Sequence, residues 1–186
     1  TGDEDSRGYW LQQKIDLHKA LGSQASERAT YLAAGAQMEL ATDAKLRFAA
    51  IRLNHPLQRS LKNKQRALKK SLQAFESVAG YEVAEFTTAA TFEIADLYSA
   101  LSKAIMASDR PQNLSELELE QYEILLEEQA FPFEEQSIDV HQINMRRAWD
   151  GTYDEWVRKS YGELNRLMPG RFDKPESEVA YAEAIH

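Results

Sequence analysis

The chain has no cysteine. Disulfides, thiolate metal sites and a cysteine nucleophile are therefore excluded, while cytoplasm and periplasm both stay open as compartments. No apolar run approaches the roughly 20 residues that a membrane span needs. Among 186 residues there are only 8 glycines and 5 prolines, and β-branched runs are few, so little breaks the backbone or favours strands. A net charge of -8 and a pI of about 5.1 argue against general nucleic-acid binding, which depends on neutralising phosphates with lysine and arginine. Catalytic signatures are missing too: there is no G-x-S-x-G turn, no H-E-x-x-H and no phosphate-binding glycine loop. An EF-hand loop is absent, and Glu-x-x-His does not recur on two helices as a di-iron bundle requires. The expectation is no enzyme, no metal site and no cofactor.

Helix formers fill the chain. Ala, Leu, Glu, Gln, Lys and Arg dominate, all of which lose little on entering a helix, and the length suffices to bury a core without staples. An all-α fold follows. Residues 1–8 are polar with two glycines and read as a mobile tail; the start at Thr1, with neither initiator methionine nor signal peptide, reads as that of an excised fragment with any targeting segment upstream. Residues 9–170 read as one helical domain. Tyr9 to Leu21 suits a short helix with Gly22 as C-cap, and Ser26 opens a second that Asn54-His55-Pro56 ends. From Leu57 to Val78, Leu61, Leu68, Leu72 and Phe75 share one side, while Arg59, Lys62, Lys64, Arg66, Lys69 and Lys70 lie elsewhere around the helix.

Glu82 to Ser108 holds the clearest stripe: Phe86, Ala90, Ile94, Leu97, Leu101 and Ile105, at steps of four, four, three, four and four. Such a stripe is a core face. After a loop at 109–113, Ser115 and Glu118 stand in capping-box spacing and open a long helix running to Trp149. Nine acidic residues and no lysine or arginine lie between Arg110 and Arg146. Pro132 is expected to kink or break that helix, because it has no amide hydrogen and its ring crowds the preceding turn. Asp150-Gly151 turns the chain, Thr152 can cap a last helix containing Tyr153 and Trp156, and Met168-Pro169-Gly170 ends it. Residues 171–186 form a tail with a weak helical pattern that suits a docking helix.

Helices joined by short turns stack as antiparallel hairpins, and right-handed stacking gives an α-solenoid. Tyr31-x-x-Ala34-Gly35-x-x-Met38 and Thr91-x-x-Ile94-Ala95-x-x-Tyr98 resemble the first-helix signature of tetratricopeptide (TPR) repeats, and Ser71-x-x-x-Phe75-x-x-Val78 resembles the second. The helices are longer than half of a roughly 34-residue repeat. From about Ser71 onward the words Glu85-Phe86-Thr87-Thr88-Ala89-Ala90-Thr91, Leu119-Glu120-Gln121-Tyr122, Leu125 to Glu135 and Gly151-Thr152-Tyr153-Asp154-Glu155-Trp156-Val157 are similar to the C-terminal region of TPR proteins of the Gram-negative cell envelope. That group includes a gliding-motility component. The resemblance implies a periplasmic or outer-membrane-associated scaffold and brings no catalytic residues.

For the acidic run the plainer reading is a solvated face, since carboxylates on a helix diverge. Asp16 with His18, and Asp139 with His141, stand about 200° apart on a helix, poor geometry for a shared ion. The basic cluster suits anionic lipid, nucleic acid or protein, against the plainer reading of a solvated helix. The residues expected to bind a protein partner are Arg59, Lys62, Arg66, Lys69 and Lys70, with Tyr122, Phe131 and Phe133 beside Pro132. Most large aromatics, Trp149 and Trp156 included, are core by base rate, and any exposed near Pro132 becomes the best anchor. The expected function is a non-enzymatic protein-interaction scaffold. Its rival is a compact helical dimerisation or support domain of a longer chain, with a homodimer burying the aromatic face; an enzyme would need scattered acids and His141 to converge in a pocket.

Overall fold

The computed structural model describes residues 2–172. All regular structure among them is helical: α1 (Gly2–Leu21), a 3-10 turn (Gly22–Gln24), α2 (Glu27–Ala49), α3 (Leu57–Ala79), α4 (Ala84–Met106), α5 (Glu116–Arg147), α6 (Glu155–Leu167) and a short α7 (Pro169–Phe172). The docking helix expected in the C-terminal tail lies, from 173 on, outside the described residues.

The starts of α2 and α5 follow the expected chemistry. The Ser26 side chain accepts from the Ala29 amide, and Ser115 and Glu118 form the full reciprocal capping box, each such cap being worth about 1 kcal/mol. For α6 the cap is Asp154 rather than Thr152: one carboxylate oxygen accepts from the Trp156 and Val157 amides. Tyr153 therefore stays outside the helix, and Gly151, at φ +85°, supplies the left-handed turn before it.

Each helix packs on its chain neighbour, and α4 additionally on α2 and α6. The core gathers Phe48 of α2, Leu61, Leu68 and Phe75 of α3, Leu97, Leu101 and Ile105 of α4, and Leu126 and Ala130 of α5. Each large side chain there contributes about 2 kcal/mol by leaving water. A smaller cluster of Leu11, Ile15 and Ala36 joins α1 to α2. Arg7 adds contacts from α1 to Glu39 and Asp43.

Several expectations change. Residues 2–8 belong to α1 instead of a loose tail, Arg7 reaching across to α2. Helix α2 ends at Ala49, five residues before Asn54. Of the kink or break expected at Pro132, the break does not occur: the long helix expected from Ser115 onward is one helix of 32 residues with Pro132 inside it, about 48 Å long at 1.5 Å per residue.

Lys64 explains the early end of α2. Its side chain is buried, and Nζ donates to the Phe48 carbonyl at 3.1 Å and the Ile51 carbonyl at 2.7 Å, 4.3 Å above the Phe48 ring. A cation here occupies the place a further helical turn would use and meets the negative end of the α2 dipole. Burial alone lowers its pKa; the paired carbonyls and the ring keep the charge tolerable. Lys64→Met keeps the stem and deletes the donor, so urea unfolding is expected to show a loss of about 2 kcal/mol. Lys62→Met, on the exposed side, should change stability by less than about 0.5 kcal/mol.

Candidate interaction surface

The two halves of the expected partner-binding set stand on different helices that do not pack together: α3 lies against α2 and α4, and α5 against α4 and α6. On α3, Arg59, Lys62, Arg66, Lys69 and Lys70 are all exposed, as expected. Among the described residues none of them pairs with a carboxylate; Arg66 touches only Asn63, at 3.4 Å. Lys64, counted with them from sequence, is in the core.

Two of these cations, Arg66 and Lys70, help frame a groove that the sequence did not reveal. Ala44, Arg47 and Ile51 from the end of α2 and Asn63, Arg66, Ala67 and Lys70 from α3 line a cleft of about 300 Å³. Its floor is apolar through Ala44, Ile51 and Ala67. Its rim carries three positive charges from Arg47, Arg66 and Lys70. Arg47 enters because α2 is near its end there, which places a basic last turn beside the basic face of α3.

On α5 the three aromatics separate. Tyr122 and Phe133 are half-buried against the main core. Phe131 points the other way and is 59% exposed. The reason is helical phase: Tyr122, Leu126, Ala130 and Phe133 share the inward side, while Leu117, Ile124 and Phe131, at steps of seven, run along the opposite side. Leu117 and Ile124 are exposed as well. Around Phe131, Glu127, Glu128, Glu134 and Glu135 occupy the positions three and four residues away that adjoin it on a helix. None of these four makes an ion pair among the described residues. Trp149, expected in the core, is exposed.

Other charged groups are committed to holding the fold. Lys45 of α2 meets Glu93 and Asp96 of α4, the latter at 2.6 Å; burial opposes its charge, but the two acids together raise its pKa. Arg110 clasps Glu123 with two contacts of 2.7 Å and holds that carboxyl below its usual range. His18, set above beside Asp16 as poor geometry for a shared ion, hydrogen-bonds Thr30 Oγ1 at 3.0 Å and lies edge-on to Tyr81.

His141 joins three helices. Its Nδ1 lies 3.3 Å from Ser160 Oγ of α6, and its ring packs on Phe92 of α4. Asn144, one turn on, donates to the Thr88 carbonyl at 3.0 Å and to Ser160 Oγ at 3.1 Å, while Thr88 Oγ1 donates to Asp154 at 2.5 Å. A histidine beside a serine is the start of nucleophilic chemistry, yet both are at most 1% exposed, so in this conformation no substrate reaches Ser160. This is a buried polar seam between α4, α5 and α6. Among the described residues no three His, Asp or Glu side chains are grouped to hold a metal ion.

Comparison with family models, with curated proteins and with solved structures yields no match for this chain.

Burial lowers the pKa of His141 to about 4; Glu163 and Asp96 oppose the shift and Arg166 adds to it. The unfolded chain thus takes up a proton near pH 6.5 that the folded chain refuses until about pH 4. Stability should fall as pH drops through that window, by roughly 2 kcal/mol for this group. Urea midpoints between pH 7 and pH 4.5 should show the decline, and His141→Asn should flatten it. Separately, Phe133→Ala should cost about 2 kcal/mol and Phe131→Ala less than about 0.5, since only Phe133 leaves a hole in packing; thermal unfolding distinguishes them.

Proposed function

We propose that this chain is a non-enzymatic protein-interaction scaffold, a short right-handed TPR-like array with longer helices than the standard repeat, serving a bacterial cell-envelope assembly. The observation that carries the reading is the exposed, unpaired chemistry just described. A cation-rimmed apolar groove and an aromatic anchor set among free acids are the features of surfaces that hold other proteins.

The helix order supports the TPR-like part. Every helix touches its neighbour, and α2, α4 and α6 touch in succession, as first helices of consecutive hairpins do in stacked arrays. Both first-helix signatures fall on α2 and α4, and the second-helix signature falls on α3 between them. Gly35, the small residue of the first signature, comes close to α4: a Cβ there would stand 3.4 Å from the Phe86 ring. Small residues at that position let successive first helices approach.

The periplasmic or outer-membrane-associated location, and a link to gliding motility, rest on the resemblance of residues 71–157 alone. No helix among the described residues is long and apolar enough to cross a membrane.

Affinity capture from Gram-negative envelope extracts tests the reading. The intact chain should retain a reproducible protein set. A chain with Arg59, Lys62, Arg66, Lys69 and Lys70 each changed to Glu should lose it, as should Phe131→Ser in part. Equal recovery by all three removes these residues from the function.

A further inference from the structure

The groove and the anchor are complementary to each other. The groove offers an apolar floor, Ala44, Ile51 and Ala67, beneath Arg47, Arg66 and Lys70. Helix α5 offers an apolar side chain, Phe131, surrounded by Glu127, Glu128, Glu134 and Glu135. Three unpaired cations around a hollow match four unpaired acids around a projection. Charged rims of opposite sign steer encounter and set register, while the apolar centre supplies affinity.

Within one chain the two cannot meet. Helix α5 is held against α4 and α6 by Leu126, Ala130 and the His141 seam, and α4 stands between it and the α2–α3 pair. Phe131 already faces away from that core. We infer that the occupant of the groove is α5 of a second copy, with Phe131 seated between Arg47, Arg66 and Lys70. This goes beyond holding a partner: the chain becomes its own ligand.

The contact is heterologous, because the groove and the anchor are different surfaces. Each copy that fills one groove still presents a free groove at one end of the pair and a free anchor at the other. Such contacts extend into open chains or close into rings, unlike a two-fold dimer, which stops at two. The net charge of -8 works against association at long range, so the attraction depends on the local rims. Binding is therefore weak, and it is salt-sensitive because the rim charges on both sides are solvent-exposed and added salt screens them.

Sedimentation velocity on the intact chain tests this. At low ionic strength the weight-average mass should climb steadily with protein concentration, and about 0.5 M salt should suppress the climb. Two variants separate the halves: R66E with K70E spoils the groove and leaves α5 intact, and F131S spoils the anchor and leaves the groove intact. All three positions are exposed, so circular dichroism should report unchanged helix content; R66Q with K70Q and F131A replace any variant that does not fold. Each variant alone should associate at least about tenfold more weakly than the parent, the loss typical of an interface anchor. Mixed together, they should form a pair that does not grow further, since one intact anchor meets one intact groove. A parent chain that stays monomeric at about 100 μM, where a weak specific contact would be half-formed, overturns the proposal. So does association that persists in either variant, or a mixture that remains monomeric. Partner capture in the preceding section reads a different quantity, so loss of self-association with retained capture would reject this inference and leave the scaffold reading standing.

Discussion

Helix α4 packs against α2, α3, α5 and α6 at once, and the remaining helices take their places around it. Ten of its 23 residues are buried, including the consecutive run Thr88, Ala89, Ala90 and Thr91. Four successive residues point in four directions around a helix, so burial of all four requires neighbours all round. Only small side chains allow this at close range. Ala89, Ala90 and Ala95 admit neighbouring backbones, while Leu97, Leu101 and Ile105 fill the wider end. The Thr91 hydroxyl donates back to the Thr87 carbonyl of α4 and that of Thr88 donates to Asp154, so both enter the interior without an unpaired donor.

Two consequences follow for the surfaces. With α4 in the middle, α3 and α5 are separated, and their unlike charges cannot cancel within the chain. The basic side of α3 and the acidic outer side of α5 are both left toward solvent, each with an apolar element at its centre. A protein that paired its charges internally would have little to offer a partner. This one pairs Lys45 with Glu93 and Asp96, and Arg110 with Glu123, where helices must be held, and leaves Arg47, Lys70 and the glutamates around Phe131 without ion pairs among the described residues.

How much of this could be read from sequence depends on which side chains carried the signal. The α4 stripe from Phe86 to Ile105 was legible because large apolar residues repeat at helical steps; its other buried sides were not, since alanine, serine and threonine do not declare burial. Ser26 and Ser115 announced their helix starts through local spacing. Lys64 was misplaced because its partners are backbone carbonyls of Phe48 and Ile51, over a dozen residues away and invisible to composition. The same interaction cut α2 short of Asn54, a tertiary contact overriding local propensity. On α5, two apolar stripes of similar strength run along opposite sides, and only packing against α4 decides that Phe133 goes in and Phe131 stays out. The groove was illegible for a related reason: it needs the end of α2 and the middle of α3 side by side, and Arg47 had no local pattern tying it to Arg66 and Lys70.

Native-state hydrogen exchange resolved by residue shows whether α4 is the strut on which both presenting helices, α3 and α5, are mounted. The α4 amides from Ala90 to Leu101 should exchange only through global unfolding, at the free energy found from urea denaturation, while α1 opens locally at lower cost. Exchange of α4 as fast as that of α1, or α5 opening together with α3 while α4 stays closed, would contradict it.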